Sequence, residues 1–528
     1  MSIDSAMAVA APAEPAVTTP VRIHAISLTN FRAFAGLSTA RFELAGKNLL
    51  LYGENGAGKS SLFHALAEFF SDKPSALDQY NNVFSGFGIE NCRVAVELVG
   101  DAVPVVWTAD IHPCVLDFDK PVDDYYSYYF GETDTRIRDA AKRAACIDYK
   151  SLLNTNFSHG VCEVNLFDIA VNHLLRDYPV SHAGQASTIG ELWQAVLRAT
   201  PAKGDAASLK LIIQACIDFN TVFRPALQVL LPKINELLQS LGWPEVTLTA
   251  LRSPGVTYRT ARLKAQRTIE GQTLVPELSF RNHQPVNYQT FLNEARLSAL
   301  ALAIYFAGRL VCTPTTTPGA LKLLVLDDVL IGLDHSNRLP VLNVLAYLFG
   351  DWQVVLMTHD RGWFDLAYAK ISPTDWRCYE IFEGDQTAPA PSPIYRAVPM
   401  DASLDRPARI YIDYAKHMLT LNYPEAAANY ARQALEATLR GGCEKHCIPI
   451  PFYRDPKKIK AQFLLDQLKS WPGNAKVTKV KLDPILVKVT LLKNVVMNPY
   501  SHPSAPNIPK SEVQQAITTV EELLALFG

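Results

Sequence analysis

Residues 49–61 read LLLYGENGAGKSS, and this stretch decides the fold. An apolar run, Leu49 to Tyr52, breaks at Gly53 and ends in Gly58, Lys59 and Ser60, the pattern G-x-x-x-x-G-K-[ST]; SLFHALAEFF (61–70) then follows with the spacing of an amphipathic helix. A buried strand that turns through glycines into a helix start aims amide hydrogens and the positive end of the helix dipole at one anion. The glycines let the backbone wrap a phosphate with no Cβ in the way. Lys59 brings mobile positive charge to the β- and γ-phosphates, and the Ser60 hydroxyl suits Mg²⁺. The strand before and the helix after separate this loop from a chance glycine-rich turn. ATP and Mg²⁺ are the expected ligands, with Asn55, Gly56, Gly58, Lys59, Ser60 and Ser61 as nucleotide contacts.

Working outward, LKLLVLDDVL (321–330) is near-continuously apolar until Asp327 and Asp328, as a buried parallel strand would be. Carboxylates at such a strand's end sit at the ligand-binding edge of a parallel sheet. Asp327 is expected to share Mg²⁺ with Ser60, and Asp328 to polarise the attacking water. DWQVVLMTHD (351–360) reads as a second buried strand, and NRLPVLNVLAYLF (337–349) between them as a helix. Strands alternating with helices predict a parallel α/β sheet.

Three further signals follow in order: Leu297-Ser298 opening the helix before the acidic strand, within NEARLSALALAIYFAGRL (293–310), Gly332-Leu333-Asp334 after that strand, and Thr358-His359-Asp360 after the next. With the phosphate loop ahead of them, the sequence resembles the RecF/Rad50/SMC branch of ABC ATPases. The resemblance covers about 22–110 and 280–370, and it implies roles. ISLTNFRAF looks like the opening strand of that branch, with Arg32 a nucleotide contact. LSALA stands where the LSGGQ signature belongs, lacking both glycines but keeping Ser298, which would complete a partner's site across a head-to-tail dimer. Asp334 falls in the D-loop, and His359 matches the switch histidine that contacts the γ-phosphate. Asp328 replaces the usual Glu, one methylene longer, so slower hydrolysis is expected. DDVLIGLD looks especially like RecF. No glutamine is assignable to a Q-loop.

The remaining chain sets limits. A net charge of -2 and a pI near 6.6 give no basic excess that announces nucleic acid. Scattered cysteines suit reduced thiols, and Cys443, His446 and Cys447 make half a zinc motif with no second pair after it. No run of eighteen uninterrupted apolar residues predicts a membrane span, so the cytoplasm is the default. Residues 1–20, Ala- and Pro-rich without Lys or Arg, read as a tail rather than a signal peptide. The ATPase domain is expected at 21–382 with a helical insertion at about 115–242, a linker at 383–407, and an all-α domain at 408–528. In the last, LLKNVVMNPYSHP (491–503) holds a candidate second site, Asn498 and His502. It is similar to the polar motif of HEPN ribonucleases but lacks the Arg; a docking bundle is the plainer reading.

The layout also resembles ATPase subunits of anti-phage systems of the Septu and retron type, which implies a separate effector, a nuclease, held in check. A RecF-like clamp on DNA and an ATPase-gated RNA-cleaving toxin are the other readings. No TOPRIM segment follows the ATPase.

Overall fold

The computed structural model describes residues 20–71, 75–101, 103–109, 135–141, 143–156, 164–182, 184–200, 206–261, 267–285, 287–312, 319–386, 394–402, 406–450, 459–498 and 509–527. The chain divides into two compact units, Met1–Met400 and Asp401–Gly528.

The first unit is built on two sheets. Strands β1 (Ile23–Thr29), β2 (Ala40–Glu43), β4 (Arg93–Leu98) and β5 (Val105–Trp107) form an antiparallel sheet in the order β2-β1-β4-β5. The second sheet has the order β12-β11-β3-β10-β9-β6, with β3 Asn48–Gly53, β6 Ala145–Asp148, β9 Leu323–Asp327, β10 Gln353–Thr358, β11 Trp376–Gln386 and β12 Ile394–Asp401. Its inner ladder from β6 to β11 is parallel. Every residue of β9 and β10 is buried, which is why their sequences show no alternation. Between the sheets lies a core of Leu, Val and aromatic side chains, among them Phe31, Phe34, Phe42, Phe69 and Trp107. Each large apolar side chain buried there contributes about 1.5–3 kcal/mol before entropy is charged against it.

Helix α1 (Lys59–Phe69) leaves the phosphate loop and buries Leu62, Phe63, Leu66 and Phe69 in that core. Helix α2 (Ala206–Ser240) is 35 residues long and carries Pro225 and Pro232. It is long and apolar enough to cross a membrane by length and composition alone, a description that core helices also meet. In the structure Cys216, Phe219, Phe223, Leu227 and Leu230 face the protein core. Strands β7 (Val246–Arg252) and β8 (Val275–Phe280) pair antiparallel, within the segment expected to be β. Helix α3 (Glu294–Val311), helix α4 (His335–Leu348) and helix α5 (Arg361–Lys370) complete the alternation around β9 and β10.

Two sequence expectations are corrected. Ala145–Asp148, taken with the helical insertion, is the edge strand β6, because its alternate residues Ala145 and Ile147 are buried against β9. The stretch 383–407, expected as a linker, carries the end of β11 and all of β12. The Pro-rich composition concealed a strand, but Pro399 is admissible there because β12 is at the sheet edge.

The second unit is a helical bundle: α6 (Arg406–Thr420), α7 (Pro424–Lys445), α8 (Ala461–Ser470), α9 (Lys479–Leu492) and α10 (Lys510–Phe527). Small residues on α7, from Ala427 to Ala434, allow close packing, with Leu435, Leu465, Leu486 and Phe527 filling the centre. The π-helical turn Lys493–Met497 extends α9 and ends at Asn498. His502 lies outside the described residues, so only Asn498 of the second candidate pair is placed.

Candidate functional site

The phosphate loop forms where β3 ends. Gly56 and Gly58 have φ of 90° and 113°, a region that L side chains rarely enter. A Cβ on Gly58 would also lie 2.7 Å from Ala397 Cβ and 3.3 Å from Ala33 Cβ. The loop therefore rests on a shelf made by β12 and by the segment after β1, with the Ala397 amide donating to the Ala33 carbonyl at 2.7 Å. Gly58 is the N-cap of α1 and no side chain caps that helix, so its first amides remain available to an anion. Asn55 and Gly56 are exposed at the loop tip.

Lys59 is buried. Its ammonium donates to the carbonyls of Gly53 at 2.7 Å and Glu54 at 3.2 Å, and stands 3.5 Å from Asp328 Oδ2. The loop thus holds the cation ready to exchange carbonyls for phosphate oxygens. Ser60 Oγ donates to Asp327 Oδ2 at 2.8 Å, joining the loop to the acidic strand across 267 positions of sequence. The other Asp327 oxygen, Oδ1, is buried without a partner. Burial pushes the Asp327 carboxyl up to about 6; the Ser60 hydroxyl opposes the rise and Asp328 adds to it. An orphaned carboxylate oxygen beside a hydroxyl is a hard-oxygen donor set that fits Mg²⁺. When bound, Mg²⁺ would neutralise developing phosphate charge, and Ser60 and Asp327 are the side chains to hold it.

Asp328 adopts φ of 53°, left-handed for a residue with a Cβ, a strain of order 1 kcal/mol that clusters at functional positions. Its amide donates to the Met357 carbonyl at 3.2 Å. Its Oδ1 accepts the His359 amide at 2.9 Å and lies 2.9 Å from His359 Nδ1. Asp328 and His359 are therefore one coupled unit facing Lys59.

The structure adds residues the sequence reading did not assign. Asp148, at the end of β6, pairs in register with Asp327, and its Oδ1 accepts the Ser151 amide at 2.8 Å. His64, one helical turn beyond Ser60, is half-buried; burial and then the Arg32 charge hold its pKa down, against Glu68 and Asp148. Arg338 donates to Asp360 at 2.6 Å and to the Leu333 carbonyl at 2.8 Å, fastening α4 to the loop after β10. Asp360 in turn caps α5 through the Trp363 amide. The only sequence signal for Asp148 was a lone acid after a short apolar run, too common a pattern to single out.

Several expected contacts are arranged differently. Ser61 is buried and its Oγ accepts the Ala33 amide at 3.3 Å, so it braces the loop from behind. Arg32 has φ of 48°, and its backbone is fixed by the Tyr80 carbonyl at 2.7 Å and the Asn82 side chain at 2.5 Å. Asp334 is the exposed N-cap residue of α4 and makes no side-chain cap bond. Ser298 departs most. It does not open a helix, because α3 starts at Glu294 and Asn293 caps it by accepting the Arg296 amide at 3.1 Å. Ser298 is buried, and a Cβ on Gly332 would lie 2.0 Å from its Oγ. Ser298 therefore packs against the loop that follows the acidic strand.

Residues 23–83 match the family described as the P-loop containing region of AAA domain. No curated protein matches the chain. Among solved structures, the SMC head domain from Thermotoga maritima is 13% identical, with a TM-score of 0.31, 72% of this chain covered and 99% of that one. An Smc head domain with an extended coiled coil, bound to the C-terminal domain of ScpA and derived from Pyrococcus furiosus, is 12% identical, with a TM-score of 0.38 and coverages of 74% and 98%. The recombination mediator protein RecF with ATP is 13% identical, with a TM-score of 0.35 and coverages of 74% and 100%. The chain is a mixed α/β protein that contains a P-loop region, with the acidic strand beside the loop in a largely parallel sheet.

Proposed function

We propose that this chain binds and hydrolyses ATP with Mg²⁺ as an ABC-type ATPase of the SMC and RecF kind, and that it uses the nucleotide state to regulate a separate effector, a nuclease, in anti-phage defence. The observation that carries the ATPase reading is the link from Ser60 Oγ to Asp327 Oδ2 with Asp327 Oδ1 left buried and unpartnered. A purely structural contact would satisfy both oxygens, because an orphaned buried acceptor costs about 1–3 kcal/mol.

Lys59 and the open α1 terminus bind the phosphates. Asp328, oriented by His359, accepts the proton of the attacking water, and the strained backbone at Asp328 fixes where that carboxylate points. His359, 33% exposed, reaches the γ-phosphate side and reports its loss. Two heads pair when ATP is bound and separate after hydrolysis. Since Ser298 is packed under Gly332, the trans contact falls to the exposed loop around Asp334 rather than to the signature serine.

The effector reading is supported by a compact head that carries its own helical bundle, at 401–528, in place of long arms. The test is co-expression with neighbouring gene products, followed by mass-resolved size exclusion with and without ATP for wild type, Lys59→Ala and Asp328→Asn. A nuclease complex that ATP reorganises only when Lys59 is present supports the proposal. A lone protein that dimerises on ATP only with DNA, in a salt-sensitive manner, overturns the effector reading in favour of a repair clamp.

A further inference from the structure

One side chain spans the two loops that follow β9 and β10. Arg338, near the start of α4, is only 12% exposed and uses its guanidinium as a three-way fork. Nη1 donates to Asp360 Oδ2 at 2.6 Å, Nε to the Leu333 carbonyl at 2.8 Å, and Nη2 to the Ile331 carbonyl at 3.4 Å. The two carbonyls belong to the loop that leaves the acidic strand and carries the exposed Asp334. Asp360 belongs to the loop that carries His359, and its oxygens divide the work. Oδ2 takes Arg338, and Oδ1 takes the Trp363 amide at 3.0 Å, which caps α5.

These contacts close on themselves. The Ile331 amide donates to the Asp328 carbonyl at 3.3 Å, and Asp328 Oδ1 accepts the His359 amide at 2.9 Å. Asp328, Ile331, Arg338, Asp360 and His359 therefore form a ring, in which each member bonds the next or adjoins it in sequence. All five line a cavity of about 40 Å³, so the ring can change shape without driving protein atoms together. The fork suits arginine alone. A planar guanidinium fixes several donors in set directions, whereas an ammonium is a single mobile point charge. Poor access to water strengthens the charge-assisted bond to Asp360.

We infer that Arg338 is a positioning residue that couples the two loops: it holds His359 against Asp328 and makes the Asp334 loop follow His359. The inference rests on the ATPase reading above. When the γ-phosphate leaves, the displacement of His359 passes through Asp360 and Arg338 to the Leu333 and Ile331 carbonyls, and the Asp334 loop shifts with them.

The test measures kcat, KM, ATP affinity and ATP-driven pairing on the full chain. The variants are Arg338→Ala, Arg338→Lys, Asp360→Asn, His359→Ala and the double change at 338 and 359 to Ala. Asp360→Asn breaks the clamp from its other side while an amide oxygen still caps α5, so it stands in if circular dichroism shows Arg338→Ala unfolded. Arg338→Ala and Asp360→Asn are expected to lower kcat by about 10-fold or more through misplaced groups, with ATP affinity within about two-fold of wild type. ATP should no longer drive pairing in either. Arg338→Lys should not restore activity. With His359→Ala already present, Arg338→Ala should cost less than about two-fold more, because both act through one geometry. Additive losses in the double variant, full activity in Arg338→Lys, or unimpaired pairing in a folded Arg338→Ala or Asp360→Asn each overturns the inference. A wild type that neither binds nor turns over ATP overturns the ATPase reading itself and the inference with it, before any substitution is compared.

Discussion

Two helix starts in the first unit face opposite fates. Helix α1 begins at Gly58 with no side chain on its first amides, beside the buried Lys59 and the unpartnered Asp327 Oδ1. Helix α3 begins at Asn293, whose side chain already accepts the Arg296 amide, and Ser298 beyond it is sealed under Gly332. Any helix start leaves its first amides without partners inside the helix. At α1 no side chain takes them, whereas at α3 the Asn293 side chain takes one. In this chain the first helix start has no side-chain cap, and in the second helix Ser298 is packed against Gly332.

The largest effects should come from the open start. Lys59→Ala is expected to abolish measurable ATP binding and turnover, and Asp328→Asn to lower phosphate release by about 100-fold or more while leaving binding in place. Isothermal titration and single-turnover hydrolysis separate the two. If Asp328→Asn hydrolyses normally, the water is activated elsewhere and Asp148 becomes the next residue to change.

Next in size is Asp327→Asn. The folded carboxyl titrates at about 6, above its ordinary value of 3.8, so the folded apo chain binds the proton more tightly than the unfolded one. Stability therefore falls as pH rises through the window from about 4 to 6, and the penalty, about 3 kcal/mol, is fully present above it. Without Mg²⁺ the variant should melt higher than wild type at neutral pH, with the gap closing as the pH approaches 4. Added Mg²⁺ and ATP should reverse the order. A variant that melts lower at neutral pH without metal would show that Asp327 is structural.

Smaller effects should come from the sealed start. Asn293→Ala is expected to cost about 1 kcal/mol of stability through the lost cap, read by thermal denaturation, with ATP affinity unchanged. Ser298→Ala should alter ATPase activity by less than about two-fold, since its hydroxyl faces Gly332 and not a nucleotide. A loss of about 100-fold in ATP-dependent dimerisation from Ser298→Ala would break the comparison and restore the signature serine to a trans site.

Most of the open start was legible. The residues that make it, Gly53 to Ser60 and Asp327-Asp328, lie in short windows whose order and flanking apolar runs already specify strand, turn and helix. The surroundings of Ser298 were not legible, because burial is not written in a window. LSALA gives a serine at the expected place, but whether Ser298 meets solvent depends on Gly332, which reaches it only through the fold. The strands β6 and β12 were missed for a related reason: four residues inside helical text, and eight in Pro-rich text, carry little periodicity.

The sequence by itself determined the phosphate loop, the acidic strand end and the mixed α/β class, because backbone geometry at glycines and continuous apolar runs are local properties. Only the tertiary structure decided which polar atoms stayed without partners: Asp327 Oδ1 was left open, Ser298 was covered, and Ala397 came to lie under Gly58. Hydrogen bonding and burial are settled between residues far apart in the chain, so a site's accessibility, unlike its motif, emerges only when those residues are packed together.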